Sequence, residues 1–183
     1  MFFSFSCEKW PGLQQKADAV FSLLPGRTKS EAGTDGADTA ETTAPTLHLS
    51  QTDEELLQIA QNSQDTLPVF FRHLFRPAKG ESGFRVKYPF RTDSGSGFSM
   101  EQLWLSDIRF KDGVYYGILV NTPFYIASIK KGDTVSFSAG EITDWMFIQN
   151  GKIIGGLSIK YLLEQIPNHE RSEEQHRVLR MFE

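Results

Sequence analysis

The order of residue patterns predicts an α+β fold: two N-terminal helices packed on a curled, barrel-like antiparallel sheet of about six short strands, with a final short helix. Three observations carry that expectation. Apolar residues recur every three or four positions between residues 56 and 75. The period switches to two at Phe84, and turn signals then come at close spacing as far as Gly156.

The first helix starts at a capping box, Thr52-Asp-Glu-Glu55, in which hydroxyl and carboxylate satisfy each other's backbone amides, and it carries Leu56, Leu57, Ile59 and Ala60. A second starts near Asp65 with Pro68 in its first turn. Leu67, Phe70, Phe71, Leu74 and Phe75 form its buried side, and Pro77 ends it. Phe84, Val86, Tyr88 and Phe90 then alternate with Arg85, Lys87 and Pro89, as in a half-buried strand. In "EQLWLSDIRF" (101–110) Leu103 and Leu105 share a parity that Ile108 and Phe110 do not. Either both faces are covered around Trp104, or a bulge near Ser106-Asp107 shifts the register. Asp112-Gly113 turns the chain into "VYYGILVN", and "KKGD" (130–133) precedes a strand with Val135 and Phe137 inward. Asn150-Gly151 suits a type I′ hairpin between strands near 144–149 and 152–155, and Gly155-Gly156 allows a sharp exit to a last helix capped by Ser158.

Composition sets the domain limits. Trp10, Leu13, Ala17, Val20, Phe21 and Leu24 mark an amphipathic helix in residues 1–25. Residues 26–50, rich in Gly, Ala, Thr, Ser and acids, read as a flexible linker. The folded domain is then 51–167, and the charged stretch 168–183 reads as a C-terminal tail with a frayed or weakly docked helix. Apolar residues make up 39% of the chain, enough for one core. The net charge of −4 lacks the clustered basic footprint of a nucleic-acid binder. Cys7 stands alone, which fits a reducing, cytoplasmic setting and leaves a cysteine-based zinc site short of ligands. The opening "MFFSFSCEKW" lacks the positive n-region of a secretion signal, and no stretch is apolar for the ~20 residues needed to span a bilayer.

Seven segments together resemble the YegJ-like bacterial family, a domain of unknown function, over residues 53–165. They are "DTLPVFF" (65–71), "GFRVKYPF" (83–90), "EQLWLSD" (101–107), "GILVNTP" (117–123), "KKGDTVSF" (130–137), "ITDWMF" (142–147) and "GKIIGG" (151–156). Where the family usually carries a histidine after the glutamate of its E-x-L-W segment, this chain has Gln102, which weakens the idea of an acid–His pair as a general base in this chain. The resemblance implies domain boundaries and no particular chemistry.

The residues themselves offer little catalysis. The four histidines show no metal-ligand spacing, and no phosphate loop or nucleophile elbow is present. A carboxylate against an indole could hold a raised pKa and act as an acid, which brings forward Glu101, Asp107, Glu141 and Asp144. The plain alternative is an acid at a strand end accepting backbone N–H groups. Dense aromatics offer a binding surface instead, although alternation sends Tyr115 and Tyr116, and Trp145 and Met146, to opposite faces. The expected function is therefore a soluble bacterial protein-binding module without catalysis or cofactor, immunity-like or regulatory. It would engage another protein through Trp104, Asp107, Tyr116, Asn121, Asp144 and Trp145. The rival is a small hydrolase or small-ligand enzyme using Glu101, Asp107 and Asp144.

Overall fold

The computed structural model describes residues 54–97 and 99–183. The N-terminal helix, the linker and the Thr52 cap expected before residue 54 lie outside the described residues. Within them, helix α1 (Glu54–Phe75) leads into strands β1 (Glu81–Arg91), β2 (Met100–Lys111), β3 (Val114–Leu119), β4 (Thr134–Phe137), β5 (Asp144–Gln149) and β6 (Lys152–Gly155). Helices α2 (Leu157–Glu164) and α3 (Glu173–Arg180) complete the order.

The fold is α+β, with six antiparallel strands in the order β4-β3-β2-β1-β5-β6. It departs from expectation in two respects. The sheet is open rather than barrel-like, because β4 and β6 end it without pairing to each other. And residues 54–75 form one helix, not two, with Pro68 inside it. An interior proline costs about 3 kcal/mol through its missing N–H and its ring clash. Burial of Ile59, Ser63 and Leu67 before the proline and of Phe70 after it holds both halves on one line, so packing outweighs the local break.

Both faces of the sheet are covered. Toward α1, Leu67 and Phe70 pack on Val86, Leu103, Leu105, Leu119, Phe137, Trp145 and Phe147. On the other face Trp104, Met146 and Ile153 meet Ile159, Leu163 and Ile166 around α2 and Val178 of α3. This explains the mixed parity of β2: Leu103, Trp104 and Leu105 are all buried, and a register shift between Ser106 and Arg109 also occurs. The helix expected as frayed is docked. Ser172 and Gln175 complete a capping box, Val178 is fully buried, and Arg171 Nε and Nη2 donate to Leu163 O and Glu164 O at the end of α2. The tail also covers a sheet edge, as Ile153 N of β6 donates to Met181 O at 2.7 Å.

Two hairpins obey their turn chemistry. Asp112-Gly113 and Asn150-Gly151 place both central residues at positive φ (52° and 82°, 51° and 83°), the type I′ requirement. Gly155 is needed for space as well as for conformation. At φ 76°, a Cβ there would lie 2.2 Å from Trp145 O and 2.7 Å from the Trp145 ring. Gly155→Ala is expected to lower the unfolding free energy by about 2–4 kcal/mol in urea melts, combining overpacking with left-handed strain.

Candidate functional site

Asp144 opens β5 opposite Lys87 and is 1% exposed. Its Oδ2 accepts Ser158 N (2.8 Å) and Ser158 Oγ (2.6 Å), while Oδ1 accepts Trp145 N (2.8 Å) and Ser63 Oγ (3.4 Å). The reason lies in the next turn. The N-cap of α2 is Gly156, which has no side chain to satisfy the helix's first amides. Asp144 provides the cap from the neighbouring strand and ties α1 to the same point. Ser158, expected as the cap, instead donates to it. Burial pushes the Asp144 pKa up, against Ser158, Lys87 and the Trp145 amide, which pull it down.

Trp104 and Trp145 lie on opposite faces. Trp145 is on the α1 side, its indole N–H shared between Ser63 O (3.1 Å) and Thr66 Oγ1 (3.2 Å), beside Phe70 and Phe147. Trp104 is in the α2/α3 core with Lys87 Nζ 5.9 Å from its ring. They are 6% and 4% exposed. Asn121 accepts Trp104 N (2.8 Å), continuing the β2–β3 edge as a backbone carbonyl would. Tyr116 is half-buried opposite Arg109 and Ser136. Glu101 clamps the loop after β3, its two oxygens accepting Phe124 N (2.9 Å) and Tyr125 N (3.0 Å).

The three acids of the hydrolase alternative are therefore not brought together. Glu101 and Asp107 are six residues apart on one strand, roughly 20 Å at ~3.3 Å per residue. Paired carboxylates that attack one bond lie about 5–9.5 Å apart. Among the described residues, no three His, Cys, Asp or Glu side chains gather as metal ligands, and no helix is long and apolar enough to cross a membrane.

Asp107 of the expected set lines a concavity. The β1–β2 ladder runs from Arg91↔Met100 to Val86↔Leu105. Beyond that point β1 continues along β5 and β2 along β3, so the sheet forks. A register shift bends each prong: Ser82 to Arg85 in β1, with Gly83 at φ 66°, and Ser106 to Arg109 in β2, with Asp107 at φ 48°. A non-glycine residue in the left-handed region stores strain, which Asp tolerates better than most residues. The fork holds a cleft of about 430 Å³ lined by Gly83, Phe84, Arg85, Ser106, Asp107 and Ile108, with Leu74 of α1.

Arg85 is the unusual group there. Its Nε and Nη1 are buried and have no hydrogen-bond partner within the protein. Desolvation lowers its pKa to about 10, and the nearby Asp107 carboxylate pushes it back up. Beside the cleft runs an aromatic strip. Phe71 stacks on Phe75 (5.9 Å) and on Tyr115 (4.9 Å), and Tyr115 meets Phe110 (4.7 Å). Phe75 and Phe110 are each 53% exposed, and Val114 at the adjoining turn is exposed too.

Sequence reasoning missed Arg85, Phe75 and Phe110. Phe75, expected on the buried side of its helix, sits in the last turn, past the edge of the sheet. The broken parity at Ser106-Asp107 was the one available signal, since a bulge re-aims the side chains beyond it. An acid–His pair does exist elsewhere: His73 Nδ1 lies 2.8 Å from Glu81 Oε1, and the His73 ring stacks on Phe147. The amide of Ala78, then His73 and Gln149, hold the Glu81 carboxyl below its ordinary range.

These features define an α+β domain with a forked antiparallel sheet. The chain belongs to the family of uncharacterised proteins conserved in bacteria, DUF2314, whose pattern matches residues 53–178. It is 34% identical over 131 residues to a putative ankyrin repeat protein of Neisseria meningitidis, covering 69% of this chain and 51% of that one. It is 31% identical over 102 residues to the uncharacterised protein YegJ of Escherichia coli, covering 56% of this chain and 64% of that one. The chain thus spans less than two thirds of either relative. No solved structure matches.

Asp144→Ala leaves four buried donors without their acceptor and is expected to cost about 2–4 kcal/mol by urea unfolding. The pH dependence has a definite sign. With a raised folded-state pKa, the folded protein holds the Asp144 proton to higher pH than the unfolded chain. The associated stability is fully present below the ordinary aspartate range and declines as pH rises through the raised value. Asp144→Asn should remove that decline, measured as the slope of unfolding free energy against pH; an unchanged slope would assign it to other groups.

Proposed function

We propose that this domain is a non-catalytic protein-binding module whose contact surface is the aromatic strip Phe75, Phe110 and Val114 beside the β1–β2 fork. The observation that carries the reading is the half-exposure of two phenylalanines in one contiguous aromatic row on rigid elements. Aromatic side chains on a fixed scaffold give large apolar contact at low ordering cost, and they are enriched among interface hot spots. The separation of Glu101 from Asp107, and the complete engagement of Asp144 by its own fold, both weigh against the hydrolase alternative. The name of the Neisseria relative, an ankyrin repeat protein, is consistent with protein partners. An immunity-like or regulatory role is the concrete form this reading takes, and a cytoplasmic setting is the place expected for it.

The set of binding residues expected from the sequence shifts accordingly. Trp104, Asn121, Asp144 and Trp145 are engaged within the fold; Asp107 stays at the edge of the cleft, and Tyr116 lies half-buried on the other face of β3 from Tyr115.

Affinity capture from the native bacterium with the full chain tests the reading. Wild type should enrich a partner over control, and Phe110→Ser with Phe75→Ser should lose it. Because both side chains are half-exposed, the double variant should keep its unfolding free energy within about 1 kcal/mol. Undiminished capture by a folded double variant would remove this strip from the interface.

A further inference from the structure

Two bulges, one in each prong, open the sheet at the cost of lost ladder bonds and of an aspartate at positive φ. The cleft that results contains a cation with two buried, unpartnered donors, an anion close to it, and an apolar floor. A purely apolar ligand would leave the Arg85 donors unsatisfied, which burial makes costly. A dianionic phosphate would set two negative charges beside the Asp107 carboxylate on the same cleft wall, and like charges repel. A cation would meet the Arg85 guanidinium. The ligand that fits all three walls is a group with one carboxylate, an adjacent N–H and an apolar side chain.

We infer that the β1–β2 fork receives the C-terminal residue of an extended peptide. Arg85 Nε and Nη1 donate to the terminal carboxylate, Asp107 accepts the adjoining amide N–H, and Leu74, Phe84 and Ile108 receive an apolar last side chain. A cleft of about 430 Å³ has room for one large residue and part of its neighbour. Upstream residues of the peptide would run over Tyr115, Phe110 and Phe75. The inference rests on the protein-binding reading and names the end of the partner that enters the site. Charge decides the choice of occupant: Arg85 and Asp107 both line the cleft and feel each other's charge, and a monocarboxylate brings a single negative charge to the cation while its neighbouring N–H meets the anion.

The test uses the 15N-labelled full chain and three pools of N-acetylated peptides with Leu, Phe or Val last, observed by backbone amide shifts. One pool has a free C-terminus, the second is amidated, and the third is amidated with a glutamate next to last. The free-acid pool should shift Gly83, Arg85, Ser106 and Ile108. The amidated pool should bind at least roughly tenfold more weakly, since hydrogen bonds to a charged group are lost. Arg85→Gln should abolish the preference for the free acid, and Asp107→Asn, which retains a residue tolerant of positive φ, should weaken binding severalfold. Neither side chain anchors the core, and thermal unfolding of each variant confirms a folded sample. Equal binding of acid and amide overturns the inference, as does equal binding of the glutamate pool or an absence of shifts in all three. Should the peptides fail while Phe75 and Phe110 remain essential for capture, the fork inference falls and the protein-binding reading stands.

Discussion

The Asp144 carboxylate is the interaction on which the arrangement of layers depends. A strand normally carries an acid at its end as a solvated cap. Here both oxygens are buried and face three elements at once: the backbone of β5, the first turn of α2 and Ser63 of α1. Burying a carboxylate is unfavourable unless its lone pairs are met, and four donors meet them. The arrangement also answers a local deficit, since a helix that starts at a glycine in the left-handed region has no side chain to cap itself. Lys87 and Ser158 extend the network across the sheet, with Lys87 Nζ 3.1 Å from Ser158 Oγ. One acid thereby positions a helix on each face of the sheet.

Asp144 pairs with Lys87, and one residue further along β1 the two strands β1 and β2 part. The ladder between them stops at Val86↔Leu105, and each prong tracks its other neighbour. Gly117 shows how tightly the surroundings are packed, because a Cβ there would lie 2.9 Å from Leu105 Cβ and 3.0 Å from Ile108 Cδ1. The fork is thus a hole in an otherwise dense sheet, bounded by well-packed strands that hold its lips in place. A recognition site gains from such rigidity, since little ordering remains to be done on binding. The outer edges are managed differently: β6 is covered by the chain after α3, and β4 is only four residues long.

Much of this was legible in the residues. Alternation located β1, the Asp-Gly and Asn-Gly pairs set two hairpins, and the parity break at Ser106-Asp107 announced the bulge that opens the fork. The acid beside Trp145 was also readable as a backbone acceptor. Three things were not legible, each for a physical reason. Pro68 looked like a boundary, because propensity cannot register the burial of Leu67 and Phe70 against the sheet. The charged stretch 168–183 looked frayed or weakly docked, because its few apolar residues, Val178 among them, are all spent on one contact. Closure into a barrel was suggested by closely spaced strands, but whether β4 meets β6 depends on helices filling both faces, and spacing alone carries no trace of that. The binding surface was misplaced for a related reason: Trp104 and Trp145 attract suspicion, yet they are core, and the exposed aromatics of the strip are phenylalanines at the ends of their elements.

Site-specific photo-crosslinking in the living bacterium tests the central claim most directly. A benzophenone amino acid replaces Phe110 in one strain and Leu157 in another; both positions are exposed, Phe110 at the end of β2 in the aromatic strip and Leu157 at the start of α2. The account predicts a discrete adduct with a partner protein from position 110 and none from 157. An adduct from 157 alone, or no adduct at 110 from a folded, expressed chain, would contradict it.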